Sequence, residues 1–370
     1  MIIRIFHEYG ASRHFYPLYY IQHRMLGFIN KIEEIIFDPL CLLKKSINRI
    51  NINVLKKNIE LLSKSLSLVE ENIVNIVGIA PLHYFIVYFN KLAKKGSKIV
   101  YFTSWPYWDF DDKYGRWVHR YPINFKEKWK EFLSNYADRI VCVNKYGYYS
   151  LQKYSSNVYW IPHSVDASIF KPATGRRIRD RVIVLFVGRL VRSKGIFELL
   201  EVAKKIKKSN LRNLEIWFVG NGIYKYLVKM YEHKLPVRYL GYIKNEKKLA
   251  KIYSCADILV LPSKYTRNWE ELFGIVIIEA MSSGLPVIVS NHVGPREIIN
   301  NNYDGFLIYA DPSKNRKLFV DEIYKKIITL AEDEKLRNIM GRRGRQKVLK
   351  FYDVKINAKK WMEILKNFEL

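Results

Sequence analysis

Residues 262–290 read PSKYTRNWEELFGIVIIEAMSSGLPVIVS, and this stretch decides the fold. An apolar run, Ile258–Leu261, ends at Pro262-Ser263, and a polar loop leads from there to Glu270-Glu271. Phe273-Gly274 then opens the helical run IVIIEAM, and Leu285-Pro286 returns the chain to a second apolar run that ends at Ser290. Strand, loop, helix and strand in that order make the βαβ unit of a parallel sheet. Gly274 lets the backbone approach a ligand closely, and the free N–H groups at a helix start attract anions. Glu279 stands inside the helical run among Ile277, Ile278, Ala280 and Met281. A carboxylate in such a stretch is costly unless hydrogen-bonded. Ribose hydroxyls would satisfy it, and so would a neighbouring backbone amide.

Outward from this unit, short apolar runs alternate with longer helical patterns along the whole chain. Strand candidates in the first half are 1–6, 73–78, 98–103, 139–143 and 157–161, with helical patterns at 81–95, 124–136 and 145–153. Lys171–Arg181 has a linker's composition. A second series follows, with strands near 182–188, 214–219, 237–241, 257–261, 286–290 and 305–308 and helices near 194–208, 246–253, 274–283 and 315–333. Two basic helical stretches, 334–350 and 353–367, close the chain. The expected architecture is α/β, with two Rossmann-like doubly wound domains facing a cleft. An N-terminal domain over 1–170 precedes a C-terminal one over 171–350, and 351–370 forms a helix packing back on the N-terminal domain. Ligands of such sheets bind at the carboxyl ends of the strands, so the informative residues follow strands.

One of them is the turn Gly188-Arg189, which leaves the run Val182–Val187 and leads to Lys194-Gly195 at the start of the next helix. An Arg fork and a Lys ammonium beside a helix N-terminus form a metal-free diphosphate clamp; ordinary charges on a surface turn are the plainer alternative. Gly220, in the turn Gly220-Asn221-Gly222, and the backbone edges of Tyr242-Ile243 are weaker candidates for a nucleotide.

Together these residues resemble the family 4 glycosyltransferases of the GT-B fold over most of 157–310. Glu271 and Glu279, with seven residues between them, fit the family's paired-glutamate motif, and Gly188-Arg189 with Lys194-Gly195 fits its diphosphate site. Pro162-His163-Ser164-Val165-Asp166 stands where the family often has Pro-Asn-Gly-Val-Asp, and Gly294-Pro295-Arg296-Glu297 replaces the common Gly-Gly-x-x-Glu. The resemblance implies a retaining, metal-independent transfer of a hexose from a nucleotide-sugar such as a UDP- or GDP-sugar. Arg189 and Lys194 would hold the diphosphate, Glu271 the sugar hydroxyls and Glu279 the ribose. Phe273, Gly274 and Ile275 would present backbone amides, and His119 would touch the donor sugar. No cofactor is implied. The first half matches less well, because His7–Ser12 stands where many members have a Gly-Gly loop.

Charge bounds the partners. Sixty-three Lys+Arg against 35 Asp+Glu leave +28, and both halves are basic. A polyanionic partner is expected: an anionic membrane surface where a lipid-linked glycan acceptor waits, or nucleic acid. No nucleic-acid motif appears and the basic residues are dispersed, so nucleic acid is the lesser reading; a solvated Lys-rich surface is the plain one. Phe15–Arg49 mixes aromatic, aliphatic and basic residues, as an interfacial segment or an amphipathic core helix does. The uncharged window Asn72–Asn90 reads as a buried strand, a turn and a helix starting near Pro81 rather than as a bilayer span. The start of the chain is too soon interrupted by charge for a signal peptide, and three cysteines suit a cytoplasmic setting. Asp109-Phe110-Asp111 is an Asp-x-Asp, the metal motif of the other large glycosyltransferase fold, in a Trp/Tyr-rich loop where three residues arise readily by chance.

Overall fold

The computed structural model of the chain describes residues 1–7, 12–25, 27–36, 72–81, 83, 85–109, 124–173, 181–209, 213–266, 269–366 and 368. The chain forms two compact units, Met1–His163 with Val354–Leu370 and Ser164–Asp353. These boundaries stand beside the expected 170/171 and 350/351.

The first unit holds a six-stranded parallel sheet: β1 (Ile2–His7), β2 (Lys31–Ile36), β3 (Ile73–Gly78), β4 (Lys98–Thr103), β5 (Arg139–Cys142) and β6 (Val158–Trp160). The order is β2-β1-β3-β4-β5-β6. Strands inside a parallel sheet are covered on both faces and read as unbroken apolar runs; β4, buried and apolar from Ile99 to Phe102, does so. The helices are α1 (Tyr16–Arg24), α2 (Ile86–Lys94), α3 (Asn124–Glu131) and α4 (Lys145–Leu151). One face of the sheet buries Tyr101 edge-on to Trp108, Trp129 and Phe132 at 5.4–5.7 Å. The Tyr101 hydroxyl donates to the Ile79 carbonyl at 3.0 Å, which satisfies its polar end. The C-terminal helix, Val354–Lys366, packs on α1.

Two readings of this half need correction. Among the described residues of Phe15–Arg49 the helix runs over Tyr16–Arg24, and Lys31–Ile36 is a strand that the sequence pattern does not reveal. β2 lies at the sheet edge, where charged side chains are tolerated. Its Glu33 pairs at 3.0 Å with Arg4 of β1, itself 4% exposed. The second correction concerns Asn72–Asn90, whose helix begins at Ile86 rather than near Pro81. No helix among the described residues is long and apolar enough to cross a membrane.

The second unit carries β7 (Val182–Val187), β8 (Leu214–Val219), β9 (Val237–Gly241), β10 (Ile258–Leu261), β11 (Val287–Ser290) and β12 (Gly305–Ile308). All are parallel, in the order β12-β11-β10-β7-β8-β9. Read from β9, this is the 3-2-1-4-5-6 order of dinucleotide-binding sheets, and the order reverses between β7 and β10. Its helices are α5 (Ile196–Lys208), α6 (Lys225–Tyr231), α7 (Glu246–Cys255), α8 (Ile275–Ser282), α9 (Val293–Ile298), α10 (Arg316–Glu332) and α11 (Glu334–Phe351). α6 and α9 were not foreseen, because six or seven residues are too few to show a helical period. The break between α10 and α11 has a local cause: the Asp333 side chain accepts from the Leu336 amide at 2.8 Å and starts a new helix. α8 is apolar nearly all round and is accordingly buried from Ile277 to Ser282. Arg345 of α11 donates to the Ser282 carbonyl at its end.

Of the two described cysteines, Cys142 is a buried core residue, and burial pushes its thiol far above the ordinary range. Cys255 is half-buried at the end of α7.

Candidate active site

β7 and β10 are sheet neighbours whose connections leave in opposite directions, so a crevice opens at their carboxyl ends. The loops there are joined through backbone. A Cβ on Gly195, where φ is 74°, would lie 2.0 Å from the Pro262 carbonyl oxygen. One on Gly220, with φ 140°, would lie 1.8 Å from that of Gly188. No side chain fits at either place. The Lys264 amide donates to the Ser193 carbonyl at 2.7 Å, Gly188 to Val219 at 3.0 Å, and Gly220 to Gly241 at 2.8 Å. The loops after β7, β8, β9 and β10 thereby form one platform. Buried Glu198 of α5 reinforces it by pairing with Lys264 at 2.8 Å and Arg316 at 3.0 Å.

On this platform the Lys194 ammonium pairs with the Glu271 carboxylate, two residues 77 positions apart. The Ser263 hydroxyl donates to the same oxygen, Oε2, at 3.1 Å. Both charged side chains are sheltered, at 13% and 12% exposure, yet neither is sealed from solvent. Lys194 Nζ also lies 4.6 Å from the centre of the Trp269 ring, a cation–π contact. The Glu271 backbone is held as firmly: its N–H donates to His292 Nδ1 at 3.3 Å, and its carbonyl accepts from the Gly294 amide at 3.1 Å. His292 Nε2 stands 2.9 Å from the Ser263 carbonyl. Burial holds this imidazole below the ordinary histidine range.

The structure thus brings together Lys194, Gly188, Gly220 and Glu271, and it pairs Glu271 rather than Glu270 with Lys194. Arg189 is exposed in the same loop as Lys194. Gly274, with φ 92°, caps α8, whose first turn leaves N–H groups without intrahelical acceptors; Phe273 is buried before it and Ile275 half-buried after it. At the end of β9, Tyr242 is 68% exposed and Ile243 half-buried. Glu279 is 1% exposed, and its Oε2 accepts from the Tyr253 hydroxyl of α7 at 2.8 Å. That partner is neither of the two considered from sequence. His119 lies outside the described residues, as do Asp111 and most of the linker; Asp109 pairs with Lys153 at 3.3 Å. No group of three or more His, Cys, Asp or Glu placed to hold a metal occurs among the described residues.

Sequence reasoning missed Ser263, Trp269, His292 and Tyr253. The rule that informative residues follow strands would have found two of them, since Ser263 stands just past β10 and His292 just past β11.

Residues 171–347 match the family model of the glycosyl transferases group 1. Over 134 residues, 35% of the chain, it is 37% identical to an uncharacterized glycosyltransferase, MJ1607, of Methanocaldococcus jannaschii. Over 260 residues, 64% of the chain, it is 28% identical to the UDP-Gal:alpha-D-GlcNAc-diphosphoundecaprenol alpha-1,3-galactosyltransferase of Escherichia coli. The alignments span 32% and 62% of those two relatives' own lengths. Among solved structures, Anabaena Alr3699/HepE in complex with UDP and glucose superposes on 99% of the chain and 100% of its own, with a TM-score of 0.68 at 14% identity. At that identity the likeness speaks for the fold alone. Residues 171–347 belong to the glycosyl transferases group 1, and the chain that carries them has the GT-B fold of two parallel-sheet α/β units.

Proposed function

We propose that this protein is a retaining, metal-independent hexosyltransferase that moves a sugar from a nucleoside diphosphate to an acceptor hydroxyl. The observation that carries the reading is the Lys194–Glu271 pair at the switch point of the second sheet, with Arg189 exposed in the same loop. As the bond to the sugar breaks, negative charge grows on the diphosphate and the sugar becomes oxocarbenium-like. Lys194, Arg189 and the amides of Phe273, Gly274 and Ile275 stabilise that charge, and preorganised groups of this kind cost no reorganisation at the moment of reaction. Glu271 binds sugar hydroxyls while its partner Lys194 reaches the phosphate. Glu279 serves the ribose.

Two likenesses support a UDP- or GDP-sugar donor and a lipid-linked glycan acceptor. The Escherichia coli relative acts, by its name, on a diphosphoundecaprenol-linked sugar, and the Anabaena neighbour was solved with UDP and glucose. A charge of +28 suits peripheral docking on the anionic cytoplasmic face of a membrane. Calorimetric titration with UDP, GDP, ADP and a short single-stranded oligonucleotide, all in the presence of EDTA, tests the reading. One diphosphate is expected to bind, about 10- to 100-fold more weakly to Arg189→Ala, as for loss of a charged hydrogen bond. Binding of the oligonucleotide alone, unchanged in the variant, overturns it.

A further inference from the structure

We infer that His292, held as its neutral Nε2–H tautomer, is a positioning residue that keeps Glu271 in register with Lys194. The contacts leave one protonation state that satisfies both ring nitrogens. Nδ1 faces a backbone N–H, that of Glu271 at 3.3 Å, so Nδ1 must accept. Nε2 faces the Ser263 carbonyl at 2.9 Å, which only accepts, so Nε2 must carry the proton. The Nδ1–H tautomer opposes both contacts, and the imidazolium sets a second donor against the Glu271 N–H. The ring therefore joins the main chains of Ser263 and Glu271, whose side chains meet at Glu271 Oε2, the oxygen that also takes Lys194.

The surroundings keep the ring in place and neutral. Tyr265 and Trp269 stand at 5.9 and 6.3 Å between ring centres. Glu270 and Glu271 favour an imidazolium, as does Asp311, while Lys194 disfavours it; burial outweighs the carboxylates. His292 is thus a link between two loops that protonation releases. A purely space-filling side chain at this position would have no such pH dependence.

The tautomer follows from contacts within this chain, whereas the consequence for the donor rests on the function proposed above. The experiment separates the two. Nitrogen-15 NMR of histidine-labelled protein, with His292 assigned by its loss in His292→Asn, is expected to show an Nε2-protonated neutral ring at pH 7.5 that charges only below the usual histidine range. An Nδ1–H ring, or ordinary titration, overturns the inference whatever the protein's activity. Calorimetry then compares UDP with UDP-glucose and GDP with GDP-mannose. His292→Leu is expected to bind the bare diphosphate within about threefold of wild type and to lose about tenfold of the extra affinity that the sugar confers. His292→Asn, whose Oδ1 replaces the Nδ1 acceptor, is expected to keep most of it. Equal losses for diphosphate and sugar nucleotide, or no loss in the Leu variant, overturn the positioning role. Failure of every nucleotide to bind wild type sinks the proposed function instead, and the NMR result alone then decides whether the link exists.

Discussion

At the carboxyl end of β7 the chain presents Arg189 and Lys194 on loops that glycine and backbone bonds hold rigid. At the carboxyl end of β1, in the other unit, it presents His7 with Nε2 3.3 Å from Glu34, and after it His14, whose ring lies 4.5 Å from that of His163. The first arrangement keeps a cation and its partner carboxylate partly open to water. The second sets buried His7 and His163 and half-buried His14 among aromatic rings, with Phe102 5.9 Å from His163 and Trp361 6.1 Å from Phe102. One topological rule places both sets, yet their chemistry differs. Anion recognition needs charges at fixed spacing, which a sequence displays. An edge of stacked rings is specified by packing, which it does not display.

The comparison can be broken at several points. The largest expected effect is that of Lys194→Ala, which removes the sheltered cation and leaves Glu271 with Ser263: kcat/KM for sugar transfer should fall about 10²- to 10³-fold, as for one preorganised electrostatic group. A fall below tenfold would mean that this edge is no more electrostatic than the other. Next is acid sensitivity in the first unit. Burial, and then the nearby His7, lower the His14 pKa from 6.5 to about 4, and burial moves His163 the same way. The unfolded chain therefore takes up protons near pH 6.5 that the fold refuses until about 4. Stability should be full above 6.5 and decline as pH falls towards 4, by ~3 kcal/mol for His14 alone. Urea midpoints of wild type and His14→Phe at pH 7 and 4.5 measure this, and an equal acid loss in the two proteins would refute it.

Gly220→Ala should cost about 1–3 kcal/mol, an overpacking penalty, because its methyl group meets the Gly188 carbonyl. Thermal unfolding would register the loss, and diphosphate affinity should drop with it. Tyr253→Phe removes the hydroxyl that donates to buried Glu279 and should cost about 1–3 kcal/mol, visible in the denaturant midpoint; a neutral result would mean that this hydrogen bond contributes nothing net. The smallest effect belongs to Trp269→Leu. Loss of a partly exposed cation–π contact, about 0.5–1 kcal/mol, should raise KM for the donor two- to fivefold with kcat unchanged.

Legibility varied with the kind of signal. β4, β7 and β10 are readable because interior parallel strands run apolar on both faces. β2 is not, since Glu33 and Glu34 interrupt it, and the buried Arg4 on its neighbour, with Lys31, explains why Glu33 can lie there. The residues of the proposed clamp, Gly188, Arg189, Lys194 and Glu271, are readable because a turn after a strand must use particular residue types. The short helices α6 and α9 are not, although α9 follows directly from His292.

The sequence by itself determined the alternation of strands and helices, the two-unit α/β plan and the charged residues at the carboxyl edge of the second unit's sheet. These are local matters, set by periodicity and turn chemistry within a few residues. Only the tertiary structure decided that Tyr253 satisfies Glu279, that Trp269 lies against Lys194, and that His292 joins Ser263 to Glu271. These partners stand 21 to 75 positions apart, and periodicity reports only which face of an element is buried. Which neighbour meets that face is chosen when the elements pack, because close packing admits few arrangements of side chains of given shape.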